Sequence, residues 1–415
     1  MKDNKNLIKF NRDNANIPQP IETQSYRSDY IYFGKDNLYP NFLIDLFYRS
    51  PLHMAIVNRK IEMAIGKDIK FKFETLEEET KFWLKTKQLF RSSNKNIYTF
   101  IENILKDLIL FDSFSVDIVN NLEGKPDKMD HLDQSKIRYG EKNINEIQKI
   151  WYSNNWADTR KLRNRPMEFD NYLLNPETTR GIYSYTTYFP GKEYYSLPQY
   201  VSAVNWILLD YEISNFHINN VKNGFAPSML IKYNTQPETV EEKDAIAQSL
   251  YDQYKGASNA GEVIISFAVD REHNIDVEPI SQNASDTRFL LLKEQSFQEI
   301  LSVHSVTNPQ LFGKNTPGEL GSSKDLIRDY NLYYTSVIEP YQIKVKEFLY
   351  WIYDRMDIQI KDIVFEPLKV IDYVFDEQIL ASVMTKEEIR EKLQLPKLEV
   401  SEDVLTDENK DLLND

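Results

Sequence analysis

Between about Tyr200 and Tyr353 the sequence carries three long segments of helical periodicity, split by a short strand-bearing insert and by one glycine-rich loop. From Leu197 to Asn223, Val201, Val204, Ile207, Leu208, Tyr211, Phe216 and Val221 recur at helical spacing, and Gly224 follows as a stop. A helix over that stretch would span roughly 40 Å. The insert then reads as a strand at 228–233 (SMLIKY), a helix over 235–255 closed by Gly256, and strands at 262–267 (EVIISF) and 276–280 (DVEPI). A second long helix starts at Ser285-Asp286, a good capping pair. It carries Phe289, Leu290, Phe297, Ile300, Leu301 and Val303 and stops at Thr307-Asn308-Pro309, where the proline disfavours the helical region for Asn308. The next segment, QLFGKNTPGELGSS, places three of the chain's 12 glycines within nine residues, the mark of a loop and not of a broken helix. A third long helix is predicted from Ser323 to about Met356, interrupted near Pro340. At 415 residues the chain exceeds one ordinary core and suits two or three packed regions.

The remainder reads as α+β. Residues 1 to about 30 are polar and form an extended arm. From Tyr39 the pattern is helical, with Pro40 suited to a first turn. A second helix opens near Pro51 and ends at Gly66, a plausible left-handed cap. Ile69, Phe71 and Phe73 alternate with Lys70 and Lys72 like a strand. Helices are predicted at 75–91 and 97–112. Strands follow from Phe114 through a turn at Glu123-Gly124-Lys125 to about Trp156. Residues 157–195 are polar, aromatic and poorly periodic, and read as loops with short strands. The tail reads as a strand near Ile363–Phe365 and short helices at about 376–383 and 385–393, the second with a Thr385/Glu388 capping box. The last fifteen residues hold six acids against Lys410 alone.

Composition narrows the chemistry. A hydrophobic fraction of 41% with 27% charged residues is that of a folded protein. The absence of cysteine excludes disulfides, thiolate nucleophiles and cysteine zinc sites. The first residues lack an apolar core, so no secretory signal is expected, and no apolar run is long enough to span a bilayer, so no membrane partner is expected. A net charge of −14 argues against a broad surface that grips nucleic acid, which needs clustered Lys and Arg, but not against a protein past which DNA slides.

Catalytic signatures are missing. There is no GxxxxGK[ST], and GKNTPGELG lacks both the Lys-Ser/Thr ending and a preceding strand. His53, His131, His217, His273 and His304 are scattered, with no HExxH and no close pair; His217 and His304, on predicted long helices, read as packing or interface residues. Asp107 with Asp112, or Asp270 with Glu272, could be drawn as metal pairs, but nothing in their spacing makes them converge. The expectation is no catalytic residue, no metal and no cofactor. A metal-dependent nuclease stands as the enzymatic alternative.

Five segments in order carry a resemblance: NLYPNFLIDLFYRSPLHMAIVNRKIEMAIGKDI, FHINNVKNGFAPSMLIKY, YKGASNAGEVIISF, SVTNPQLFGKNTPGELGSS before a long helix, and TKEEIREKLQLPKL. Together they resemble the portal proteins of long-tailed, double-stranded DNA bacteriophages. Thr307-Asn308 departs from the family pattern, which often has a proline or apolar residue there. The resemblance implies an arm (1–30), a wing (31–195), a stem helix (196–224), a clip (225–284), a second stem helix (285–306), a tunnel loop (307–323), a long helix returning to the wing (324–373), and a crown with an acidic tail (374–415). It implies a homo-oligomeric ring, usually twelve-fold, at the capsid vertex where head meets tail, assembled in the host cytoplasm. Double-stranded DNA would pass through it during packaging and ejection. Large terminase, then head–tail adaptors, would dock on it, beside the major capsid protein or a scaffold. In this chain Lys314, Asn315, Thr316 and Glu319 would face DNA. Glu241, Glu242, Asp244 and Asp252 would form the docking face, within a clip holding ten acids against four bases. Another head–tail connector or minor capsid component is the alternative within the same class.

Overall fold

The structure is a computed structural model, and it describes residues 17–24, 28–91, 96–222, 229–233, 239, 244–245, 263–267, 276–279, 283–313 and 323–368. Met1–Leu368 form one compact unit and Lys369–Asp415 a second. The second, with the predicted helices at 376–393 and the crown, lies outside the described residues.

A short antiparallel ribbon, β1 (Glu22–Gln24) with β2 (Ile31–Phe33), leads into two helices, α1 (Tyr39–Arg49) and α2 (Pro51–Ile65). Ser50 separates them and caps α2, its Oγ accepting the His53 N–H at 3.2 Å. At Gly66 φ is +72°, and a Cβ there would sit 2.0 Å from the Glu366 carbonyl oxygen, so only glycine fits. The close approach is to β15 (Asp362–Glu366), which pairs antiparallel with β3 (Asp68–Lys72) and places Ile69 opposite Phe365. Helices α3 (Leu76–Leu89) and α4 (Ile97–Phe111) are capped by Thr75 and Asn96, as side-chain oxygens at those positions dictate.

The main sheet has six strands in the order β5-β4-β11-β10-β9-β6. These are β4 (Ser113–Asn120), β5 (Pro126–Leu132), β6 (Ile137–Tyr139), β9 (Lys149–Tyr152), β10 (Met167–Asn171) and β11 (Arg180–Thr186). A two-residue ribbon, β7 (Lys142–Asn143) with β8 (Glu146–Ile147), interrupts the run. All neighbours in the main sheet are antiparallel except β10 and β11. The region 157–195 holds short strands among loops, as expected, but one of them is central to the sheet. Its β11 pairs with β4 over seven residues in the middle of the sheet. The sequence RGIYSYT hides this because a strand covered on both faces need not alternate. Ile182 is buried, while Tyr183 lies against Phe348 and Trp351.

At β6, Arg138 is fully buried without a carboxylate partner among the described residues. It donates to the carbonyls of Ser135, Ile137 and Asn37, and its guanidinium lies 4.9 Å from the Trp156 ring centre.

The long helices depart from expectation at their ends. α5 runs over Val204–Lys222, preceded by a tighter 3₁₀ turn at Gln199–Ala203 that opens after Pro198. Nineteen residues give about 28 Å, not 40 Å. The predicted insert strands are present: β12 (Met229–Tyr233) pairs parallel with β13 (Val263–Phe267) and antiparallel with β14 (Asp276–Pro279). The predicted helix over 235–255 lies outside the described residues, apart from the helical pair 244–245. α6 (Asn283–Val303) ends a turn before the Thr307-Asn308-Pro309 signal. Ser305 takes a left-handed φ of +57°, its N–H bonds the Ser302 carbonyl, and the Val306 N–H bonds the Leu301 carbonyl. This is a Schellman cap built on serine where glycine is usual.

α7 (Ser323–Tyr333) and α8 (Glu339–Asp354) are joined by a single wide π turn, Tyr334–Ile338. Pro340 has no N–H for the carbonyl four residues back, and the widened turn absorbs that gap at the predicted interruption. α8 then buries Tyr341, Val345, Phe348, Leu349 and Ile352 against α4 and the sheet.

Candidate functional site

The helices predicted to be functional pack as an antiparallel pair. Ser296 Oγ of α6 donates to the Trp206 carbonyl of α5 at 2.9 Å, and farther along Phe216 stacks on Phe289 with ring centres 4.0 Å apart. Burial decays along the pair in that direction. Ile207, Ser296, Ile300 and Leu301 are buried, whereas Leu290 is 65% and Leu291 66% exposed, with Ile218 also open. Leu290 and Leu291 are thus apolar side chains left largely uncovered on α6.

The pair is fixed at its buried end. Ser50 Oγ donates to Asp210 of α5 at 2.7 Å while capping α2. His53 Nδ1 lies 3.0 Å from Nε2 of His304, and both rings are buried beside Tyr200. The sequence showed no close histidine pair; the fold makes one from residues 251 apart. Burial, with the nearby Lys60 ammonium, pushes His53 down to about 3. Burial likewise holds His304 well below the ordinary histidine value and moves Lys60 down to about 7. His304 is thus a packing residue, as predicted from its helix, whereas His217 is exposed and rests edge-on to Phe289.

The glycine-rich loop leaves the core through an ordered turn. Asn308 Oδ1 accepts the Gln310 N–H at 2.9 Å, and its amide donates to Asp329 of α7 at 3.0 Å. Asparagine at this position is thereby explained: one side chain caps the 3₁₀ turn Pro309–Phe312 and ties it to α7. Arg59 Nε holds the Leu311 carbonyl at 3.3 Å, and Gly313 exits at φ +76°. An open groove of about 490 Å³ lies here, lined by Asn58, Arg59, Glu62, Gln310 and Phe312.

Lys314, Asn315, Thr316 and Glu319 lie outside the described residues, as do Glu241, Glu242 and Asp252. Asp244 is described; it is helical and exposed. The carboxylates drawn as a metal pair part company. Asp107 meets His131 at 2.7 Å and the Gln134 N–H, with burial raising its carboxyl against the pull of His131. Asp112, at φ +54° on the end of α4, pairs instead with Lys344 at 2.7 Å. Asp270 and Glu272 lie outside the described residues. Among the described residues no group of three His, Asp or Glu could hold a metal, and no helix is long and apolar enough to cross a membrane.

Residues 87–394 match the phage portal protein family, about three quarters of the chain, and the chain belongs to that family. A probable portal protein of Haemophilus phage HP1 (strain HP1c1) is 24% identical over 188 residues, covering 43% of this chain and 54% of that protein. Another, of Escherichia phage P2, is 24% identical over 164 residues, covering 39% and 46%. In these alignments the chain spans about half the length of the curated relatives it matches.

Solved structures share the fold. A chain in the neck of an empty gene transfer agent particle, computed with C6 symmetry, gives a TM-score of 0.58 at 17% identity, over 86% of this chain and 94% of that one. One in the neck of a native particle, computed with C12 symmetry, gives 0.56 at 17% identity, over 91% and 96%.

Proposed function

We propose that this chain is the subunit of a closed ring at the unique capsid vertex, through which double-stranded DNA is packaged and later ejected. The observation that carries the reading is the helix pair α5–α6, anchored at one end by Ser50–Asp210 and His53–His304 and uncovered at the other, in a chain of the portal family. Uncovered apolar helix faces suit contacts between subunits, and exposed polar faces suit a water-filled channel.

In this reading α5 and α6 are the stem, and the insert around β12–β14 is the clip. Glu241, Glu242, Asp244 and Asp252 would give the clip an acidic docking face, first for large terminase and then for head–tail adaptors. The major capsid protein or a scaffold would contact the outer face. Segment 307–323 is the tunnel loop, where Lys314, Asn315 and Thr316 would touch phosphates weakly and Glu319 would keep the contact reversible. Twelve copies at −14 each carry about −170 in formal charge, a field that lets a duplex slide without sticking. The role is structural, with no catalytic step. Native mass measurement tests it: twelve 49.0 kDa chains give about 590 kDa. A chain that stays monomeric at high concentration would overturn it.

A further inference from the structure

A basic loop and an acidic helix start lie at opposite edges of the six-stranded sheet. Beyond the β9/β6 edge lies loop 160–165, whose exposed Arg160, Lys161, Arg163 and Arg165 put four cations in six residues of a chain with net charge −14. Its backbone is fixed. Asn164, which is buried, donates to the Asp158 carbonyl at 3.0 Å and its own carbonyl accepts from Ser153 Oγ at 2.6 Å, while Asn154 donates to the Arg163 carbonyl at 2.6 Å. Trp156 Nε1 ties the segment to the Lys136 carbonyl, at the start of β6, at 2.9 Å. Lys161 pairs with Asp158, whose carboxyl the Arg160 charge also holds down, but the Arg163 and Arg165 side chains have no partner among the described residues. Between them Leu162 stands 87% exposed. A rigid loop that presents a leucine among arginines contributes little to its own fold and loses little freedom on binding.

The other edge is β5, and α3 packs beside it, with Gln88 bonded to Asp127. Phe82 and Leu89 face inward. Outward, Leu76 is 80% and Leu84 65% exposed, with Trp83 partly open between them. Glu74, Glu77 and Glu79 lie about Leu76, with Glu74 3.8 Å from Lys361, whereas Lys81, Lys85 and Lys87 flank Leu84. Acids in a first helical turn are explained by the helix dipole alone. The dipole does not explain the uncovered Leu76, Trp83 and Leu84, nor the Glu78 carboxylate oxygen that is buried without a partner among the described residues.

We propose that neighbouring copies of this chain meet head to tail, the arginine loop 160–165 of one seated on Leu76 and the glutamates at the start of α3 of the next. The proposal rests on the ring reading above and names the surfaces that build it. Five inter-strand steps place the two edges roughly 24 Å apart on one subunit. The loop is therefore not answered by its own helix, and two different patches in contact make a heterologous interface, the kind that closes into a ring. Arginine suits it, because its planar fork pairs with carboxylates in two-pronged fashion.

The chain has no cysteine, so a designed pair gives an unambiguous readout. With Leu162→Cys and Leu76→Cys in one full-length chain, mild oxidation of assembled protein should give a ladder of linked subunits on a denaturing gel. Neither single variant should form one. Charge reversal supplies a second arm. Arg160→Glu with Arg163→Glu and Arg165→Glu should raise the concentration for half-assembly at least tenfold. Glu74→Lys with Glu77→Lys and Glu79→Lys should do the same, and the combination should restore assembly. Rings that form normally in the reversed variants and give no ladder overturn this interface while leaving the ring reading intact. Wild-type protein that forms no ring overturns both.

Discussion

His53 Nδ1 sits 3.0 Å from His304 Nε2, and this contact joins the second helix of the chain to the residue that follows α6, 251 residues away. Neither His53 Nε2 nor His304 Nδ1 has a partner among the described residues, and Lys60 is buried nearby. Three basic groups thus share an apolar site, which holds only while the imidazoles are neutral.

The pH dependence follows from that. In the unfolded chain the imidazoles take up protons near the usual value of about 6.5. In the folded chain they do so far lower, His53 at about 3. The unfolded state therefore binds more protons as pH falls below 6.5, and stability is lost progressively in that window. At pH 5 the loss from His53 is about 2 kcal/mol, and His304, held well below the ordinary value, adds in the same direction. Lys60, down to about 7, acts in a separate window, adding stability as pH rises from about 7 toward the usual lysine range. Urea unfolding at pH 7 and pH 5 checks the histidine part. The drop between the two should shrink in a His53→Gln/His304→Gln variant.

Ser50→Ala should cost about 2 kcal/mol. It removes the cap of α2 and leaves Asp210 of α5 without its 2.7 Å donor. Limited proteolysis should show faster cutting within α5, since the anchor of the helix pair is lost along with the cap. Equal protection in both proteins would contradict that link.

Gly66→Ala should be harsher than a helix-cap change, at about 2–3 kcal/mol. The new Cβ meets the Glu366 carbonyl at 2.0 Å on a left-handed backbone. Denaturant midpoints would report it, and hydrogen exchange should place the loss in the β3–β15 pairing.

Much of this fold was legible because its signals are local. Pro40, Pro51, Thr75 and Asn96 mark helix starts, and Gly66 marks an end. The insert strands are short apolar runs that read the same alone as in the sheet. What escaped was set by distant contacts. β11 has no clean alternation because both of its faces are covered. The end of α6 turns on Ser305 in a conformation that serine does not advertise. The His53–His304 pair has no sequence signature, since it exists only once α2 and α6 are packed.

Deleting Lys314–Gly321 should leave ring formation largely intact and lower the amount of DNA packaged. Asn308 and Arg59 hold the base of this segment independently of its tip. Full packaging by the deletion variant, measured as DNA protected from nuclease, would show that the segment does not act on DNA.

The central claim is a ring with an open axis, and electron-microscopy class averages of the purified full-length chain test it most directly. Closed rings are expected, seen down the axis, with a central opening wide enough for duplex DNA and walls formed by the α5–α6 pair. Monomers, open filaments or rings sealed at the centre would contradict it.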